Sequence, residues 1–154
     1  MASYRNTVFI LTSLLILGLD QGSKFYLRAE LSLGEIKEVI PGFFNLVYVW
    51  NPGVAFGIFA KGAAHLRYLF IFANLLAAGG LYFYSRGKDS LSQFLCGLIA
   101  GGALGNLVDR LLYGKVFDFL DFHLGPYHWP AFNLADTAIT MGVIGFFLKL
   151  LRES

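Results

Sequence analysis

Phe132-Asn133-Leu134-Ala135-Asp136-Thr137-Ala138-Ile139-Thr140-Met141-Gly142-Val143-Ile144-Gly145-Phe146-Phe147-Leu148-Lys149-Leu150-Leu151 decides the architecture of this chain. A helix crosses a bilayer in about 20 mostly apolar residues, and this run supplies them. It also carries a carboxylate, Asp136, near its start. An acid at or near bilayer depth costs several kcal/mol unless it is paired or hydrated, so it marks a functional site by default. Upstream, Val116-Phe117-Asp118-Phe119 holds a second acid in apolar surroundings with no basic neighbour. Two carboxylates brought together resist simultaneous ionisation and share a proton, so one can activate water while the other protonates a carbonyl oxygen.

Working outward, three more runs are long and apolar enough to cross a membrane: roughly 7–24, 66–84 and 91–112, with the fourth at 133–151. With 154 residues, 56% hydrophobic and 14% charged, and a mean hydropathy of +0.62, the composition is too apolar for an ordinary soluble domain. The expected fold is an all-α membrane protein in one integral membrane domain over 1–154, with four transmembrane helices and a small β-rich segment on the outer face between helices 1 and 2. The first run follows Arg5 but lacks a small-x-small cleavage site and ends in Asp20-Gln21, so it reads as a retained span.

The β expectation rests on Leu46-Val47-Tyr48-Val49-Trp50, which is β-branched and aromatic and is followed by the turn signal Asn51-Pro52-Gly53. Between Tyr113 and Pro130 the glycines, prolines and interface aromatics predict a loop. Gly97, Gly101 and Gly105 form a small-residue stripe on span three, and Ala73, Ala77 and Gly80 form one on span two; each offers a seat for another helix. Arg5, Arg86, Lys88, Lys149 and Arg152 flank short loops and fall on one side of a four-span chain, which predicts that side to be cytoplasmic.

Polar residues gather at the other ends of the spans. Asp20 and Lys24 are four apart on one helical face. They read either as a helix-end ion pair with Lys24 reaching the headgroups or as support for a nearby site. Asn106, Asp109 and Arg110 close span three, and Asp109 has an adjacent charge in Arg110. Asn133 is placed to cap span four, which puts Asp136 where the helix dipole favours its ionised form. His65, His123 and His128 never form H-E-x-x-H, and His123 and His128 read as solvated loop residues. The single cysteine, Cys96, excludes an intramolecular disulfide and a thiolate metal cage, so a zinc peptidase is not expected. No G-x-S-x-G elbow supplies a serine nucleophile. The net charge of +2 is scattered and forms no stripe for nucleic acid. A proton-coupled carrier would also place acids in spans, but the halves show no internal repeat.

Asp20-Gln21-Gly22-Ser23-Lys24, Asn51-Pro52-Gly53-Val54-Ala55-Phe56, Gly105-Asn106-Leu107-Val108-Asp109-Arg110, Val116-Phe117-Asp118-Phe119 and Phe132-Asn133-Leu134-Ala135-Asp136 together resemble the lipoprotein signal peptidase family, signal peptidase II. The five blocks occur in the family's order and span essentially the whole chain. The resemblance implies a membrane aspartic endopeptidase with Asp118 and Asp136 catalytic. It further implies that Asp20, Lys24, Asn51, Gly53, Asn106, Asp109, Arg110, Asn133 and Ala135 support the site or contact substrate. The implied reaction removes the signal peptide from bacterial prolipoproteins by cutting before a diacylglyceryl-modified cysteine, with no cofactor or metal. Membrane lipids and prolipoproteins are the expected partners. A monomer is expected in the bacterial inner membrane, with both termini cytoplasmic and the site near the outer leaflet.

Overall fold

Helix α3, Ser90–Tyr113, is the element on which the other helices pack: α1 (Thr7–Glu30), α2 (Ala63–Ser85) and α4 (Leu134–Glu153) all lie against it. The computed structural model describes residues 6–53 and 63–153. All four helices are long and apolar enough to cross a membrane. The glycine stripe of α3 explains the closeness of the bundle. A Cβ on Gly97 would lie 2.6 Å from Thr12 Cβ and one on Gly101 would lie 2.7 Å from Ile16 Cβ, so both glycines seat α1. Gly102 faces the Ala135 carbonyl of α4 instead. Small residues let the backbones approach and gain dispersion contacts, since hydrocarbon tails offer no hydrophobic drive between helices.

The ends of α3 are set by local chemistry. Asp89 caps its start, accepting from the Ser92 N–H at 3.0 Å, while Lys149 of α4 donates to the same carboxylate at 2.6 Å. The hydrogen bond from Lys149 holds the Asp89 carboxyl well below the usual range. Gly114, at φ +74°, ends the helix in the left-handed region where glycine carries no Cβ penalty.

Beyond that turn the chain enters β3, Val116–Leu124, the centre of an antiparallel sheet ordered β1-β2-β3-β4, with β1 at Ile36–Ile40, β2 at Phe44–Asn51 and β4 at Tyr127–His128. The register pairs Asn51 with Val116 and Val49 with Asp118, with an irregularity between Leu46 and Val49. Strand alternation sends Phe117 and Phe119 to one face, where Phe117 meets Tyr48 at 4.7 Å and Trp50 at 5.7 Å between ring centroids. Asp118 faces the other way.

Several expectations need correction. The segment from Tyr113 to Pro130 is not a loop: it supplies β3 and β4, so the sheet draws strands both from between α1 and α2 and from between α3 and α4. α1 runs on to Glu30, which places Asp20 and Lys24 inside the helix, fully buried, and not at a snorkelling end. Ala73, Ala77 and Gly80 are exposed on α2 and seat no other helix among the described residues. His123 and His128 are on strands with their rings stacked 4.6 Å apart, and His128 Nδ1 lies 2.9 Å from Asp121.

Candidate active site

Asp118 and Asp136 reach one place from different elements. β3 carries Asp118, which is 2% exposed, and the first turn of α4 carries Asp136. Asn133 touches both: its Nδ2 donates to Asp118 Oδ1 at 2.8 Å and its backbone N–H to Asp136 Oδ2 at 3.3 Å. In return, Asn133 Oδ1 accepts the Asp136 N–H at 3.0 Å. This is a reciprocal helix cap in which the acid at the third position is also a site residue.

Three asparagines surround the pair, and each has its amide orientation fixed by a second partner. The Asn51 Oδ1 accepts the Gly53 N–H at 2.8 Å, so its Nδ2 must point at Asp118 Oδ2, 3.0 Å away. The cap commits Asn133 Oδ1, which leaves its Nδ2 for Asp118, the Phe117 carbonyl and Asn106 Oδ1. Asn106 Oδ1 accepts from Lys24 Nζ at 3.3 Å, so Asn106 Nδ2 donates to Asp136 Oδ1 at 2.8 Å. A reversed amide at any of the three would lose at least one bond and set lone pairs against a carboxylate.

Lys24 anchors this arrangement from below. Its ammonium lies 2.8 Å from Asp20 and 2.9 Å from Asp109, and all three side chains are fully buried. Removing one partner from such a pair costs about 3–5 kcal/mol because it strands a buried charge. Both acids are also tied to the backbone of the site: Asp20 Oδ1 accepts the Ala135 N–H at 2.9 Å and Asp109 Oδ2 the Phe117 N–H at 2.9 Å. Asp109 therefore pairs with Lys24, not with its neighbour Arg110. Arg110 lies over the Phe70 ring at 5.0 Å and within electrostatic reach of Asp136, Asp118 and Asp109.

Every other site residue expected from the sequence joins this network or borders it. Gly53, at φ +88°, would place a Cβ 2.6 Å from the Phe70 ring, so both its conformation and its space demand glycine. Val54-Ala55-Phe56 lies outside the described residues. Gln21 bridges Asp20, Asp109 and the Gly105 carbonyl. Arg67 was not singled out in the sequence, yet it donates to the Arg110 and Leu111 carbonyls at 3.0 Å each and so caps α3. Asp121 and Asn45, both buried, form a separate group with the exposed His128, whose only hint was the second acid in Asp118-Phe119-Leu120-Asp121. Burial pushes the Asp121 carboxyl up, but hydrogen bonds from His128 and Asn45 outweigh it and leave it below the usual range.

Burial pushes the Asp118 carboxyl up to about 7, the charge of Asp136 adds to the rise, and the hydrogen bonds from Asn51 and Asn133 oppose it. Two clefts reach the pair. One, of about 430 Å³, is lined by Val49, Asn51, Gly53, Asp118, Pro130 and Ala131. The other, of about 470 Å³, is lined by Pro130, Ala131, Phe132, Asp136, Thr140 and Met141.

A multi-pass membrane protein with two carboxylates joined through one asparagine, one of them raised towards neutrality, fits the aspartic class of membrane hydrolase. The family model described as signal peptidase (SPase) II matches residues 12–152. The lipoprotein signal peptidase of Syntrophus aciditrophicus is 45% identical, covering 95% of this chain and 93% of its own length. That of Desulforapulum autotrophicum is 47% identical, covering 88% and 86%. A solved bacterial membrane enzyme, determined at 1.9 Å, superposes with a TM-score of 0.84 at 31% identity, covering 95% of this chain and 94% of that one. The chain belongs to the signal peptidase II family.

Proposed function

We propose that Asp118 and Asp136 are the acid and the base with which this membrane peptidase removes signal peptides from prolipoproteins, cutting before the diacylglyceryl-modified cysteine. The observation that carries the assignment is Asn133, which holds both carboxylates at once. Asp136, in the first turn of a helix and lining a cleft, takes the part of the base; Asp118, buried and raised to about 7, keeps the proton.

Asp136 takes a proton from water as the hydroxide adds to the scissile carbonyl carbon, and Asp118 gives its proton to the carbonyl oxygen. The tetrahedral diol then collapses: Asp136 returns its proton to the leaving nitrogen as the C–N bond breaks, and Asp118 recovers one from the hydroxyl. Both acids finish as they began. Pairs of this kind titrate jointly, so the roles belong to the dyad at its working protonation state.

The site acts near the outer leaflet with both termini in the cytoplasm, a placement supported by the bases that flank the short loops. Asp118→Asn and Asp136→Asn, purified and assayed on a lipid-modified prolipoprotein, test the assignment. Each should lose activity by about 10²- to 10⁴-fold while melting as a folded protein. Near-native turnover in either would remove that acid from the dyad.

A further inference from the structure

The face of β2 and β3 opposite Asp118 carries charge that nothing among the described residues neutralises. Arg28, in the last turn of α1, stacks over Tyr113 at 4.7 Å, Phe117 at 5.8 Å and Trp50 at 6.0 Å. Its Nη1 is buried and has no hydrogen-bond partner among the described residues. Lys115 approaches the same Trp50 ring at 5.1 Å. Arg67 lies beside Gly114, the residue before Lys115, with a Cβ on that glycine falling 3.3 Å from its Nη1. No carboxylate among the described residues lies within ion-pair distance of Arg28, Lys115 or Arg67. Arg67 has two backbone carbonyls as acceptors, whereas among the described residues Arg28 has only rings.

We propose that Arg28 and Lys115, with Trp50 and Tyr113 between them, bind the phosphodiester of an anionic phospholipid headgroup. A guanidinium whose flat face rests on aromatic rings keeps its N–H edge free, and that edge matches two oxygens of a phosphate. Two cations without a carboxylate partner among the described residues flank these rings, so an anionic headgroup placed here lowers the electrostatic cost of both. The location specifies the source. Arg28 and Tyr113 end two membrane-crossing helices, at headgroup depth. Phe25, one turn before Arg28 on its helix, is 74% exposed, and Leu112, beside Tyr113, is 67% exposed; both present apolar surface to acyl chains. The site is separate from the dyad because strand alternation places Trp50 and Phe117 on the face opposite Asn51 and Asp118.

Native mass spectrometry of the full chain from detergent micelles tests this, with phosphatidylglycerol, phosphatidylcholine and inorganic phosphate as probes. The expected result is one phosphatidylglycerol retained per chain under conditions that strip phosphatidylcholine, with retention falling about fivefold for Arg28→Gln and for Lys115→Gln. Arg28→Lys, which keeps the charge but not the flat bidentate fork, should retain an intermediate amount, and millimolar inorganic phosphate should not displace it. Each variant is read only after melting at the native temperature. Lys115 is exposed, so Lys115→Gln reports even if Arg28→Gln does not fold. Unchanged retention in folded variants, equal retention of the two lipids, or displacement by free phosphate would overturn the proposal.

Discussion

At the scale of single residues, the site is a problem in amide orientation. Each asparagine offers one acceptor and one donor group, and the structure spends the acceptors on Gly53, Asp136 and Lys24 so that the donors face the two acids. Lys24→Met should therefore do two things: strand Asp20 and Asp109, at about 3–5 kcal/mol, and release Asn106 to turn away from Asp136. Thermal melting in detergent reads the first and the initial cleavage rate the second; a variant unchanged in both would remove Lys24 from the network. Asp118 sets the pH behaviour. Its carboxyl is raised from 3.8 to about 7, so between those values the folded protein holds a proton that the unfolded chain has released, and stability falls as pH rises through that window. Cleavage should fall over the upper end of it, as the proton donor is lost. The melting temperature of the native chain should drop from about pH 5 to about pH 8 more steeply than that of Asp118→Asn. Parallel slopes would place the titration elsewhere.

At the scale of elements, the four spans and the glycine seats of α3 follow from hydropathy and spacing, because a bilayer makes both requirements strict. The sheet was half legible. β2 announced itself through Leu46–Trp50, whereas β3 was concealed because the glycines and prolines that predicted a loop lie just outside it, at 114 before it and at 125, 126 and 130 after it. Phe117-Asp118-Phe119 did carry the alternation of a strand. Asp109 was legible as a polar helix end but not as the partner of Lys24, since sequence shows the neighbour Arg110 and not the helix across the bundle. Gly105 shows what that crossing requires: a Cβ there would press on the Asp20 carboxylate itself. Gly105→Ala should destabilise by about 1–3 kcal/mol and slow cleavage, because α1 cannot yield without moving the ion pair beneath the dyad. Gly79→Ala, which meets nothing within 4 Å, is the control. Equal melting temperatures for the two would show that α1 does not rest on Gly105.

At the scale of the whole molecule, depth is the controlling variable. The dyad is held between the C-terminal end of α3, the N-terminal end of α4 and a sheet fixed to them, so it can act only on a bond presented at that depth. An unmodified signal peptide can slide along the bilayer normal. Two acyl chains on the cysteine fix that residue at the headgroups, since each buried methylene contributes about 0.8 kcal/mol, and the bond just before the cysteine then sits beside the acids. The clefts at Asp118 and Asp136 share Pro130 and Ala131, so a substrate chain passing from one to the other crosses the dyad. A prolipoprotein with a diacylglyceryl cysteine should therefore be cleaved much faster than its unlipidated counterpart at equal density in the same vesicles, by about the 10²-fold that a misplacement of 1 Å costs. Initial rates for the pair decide it, and equal rates would show that selection rests on side-chain contacts along the clefts and not on anchoring.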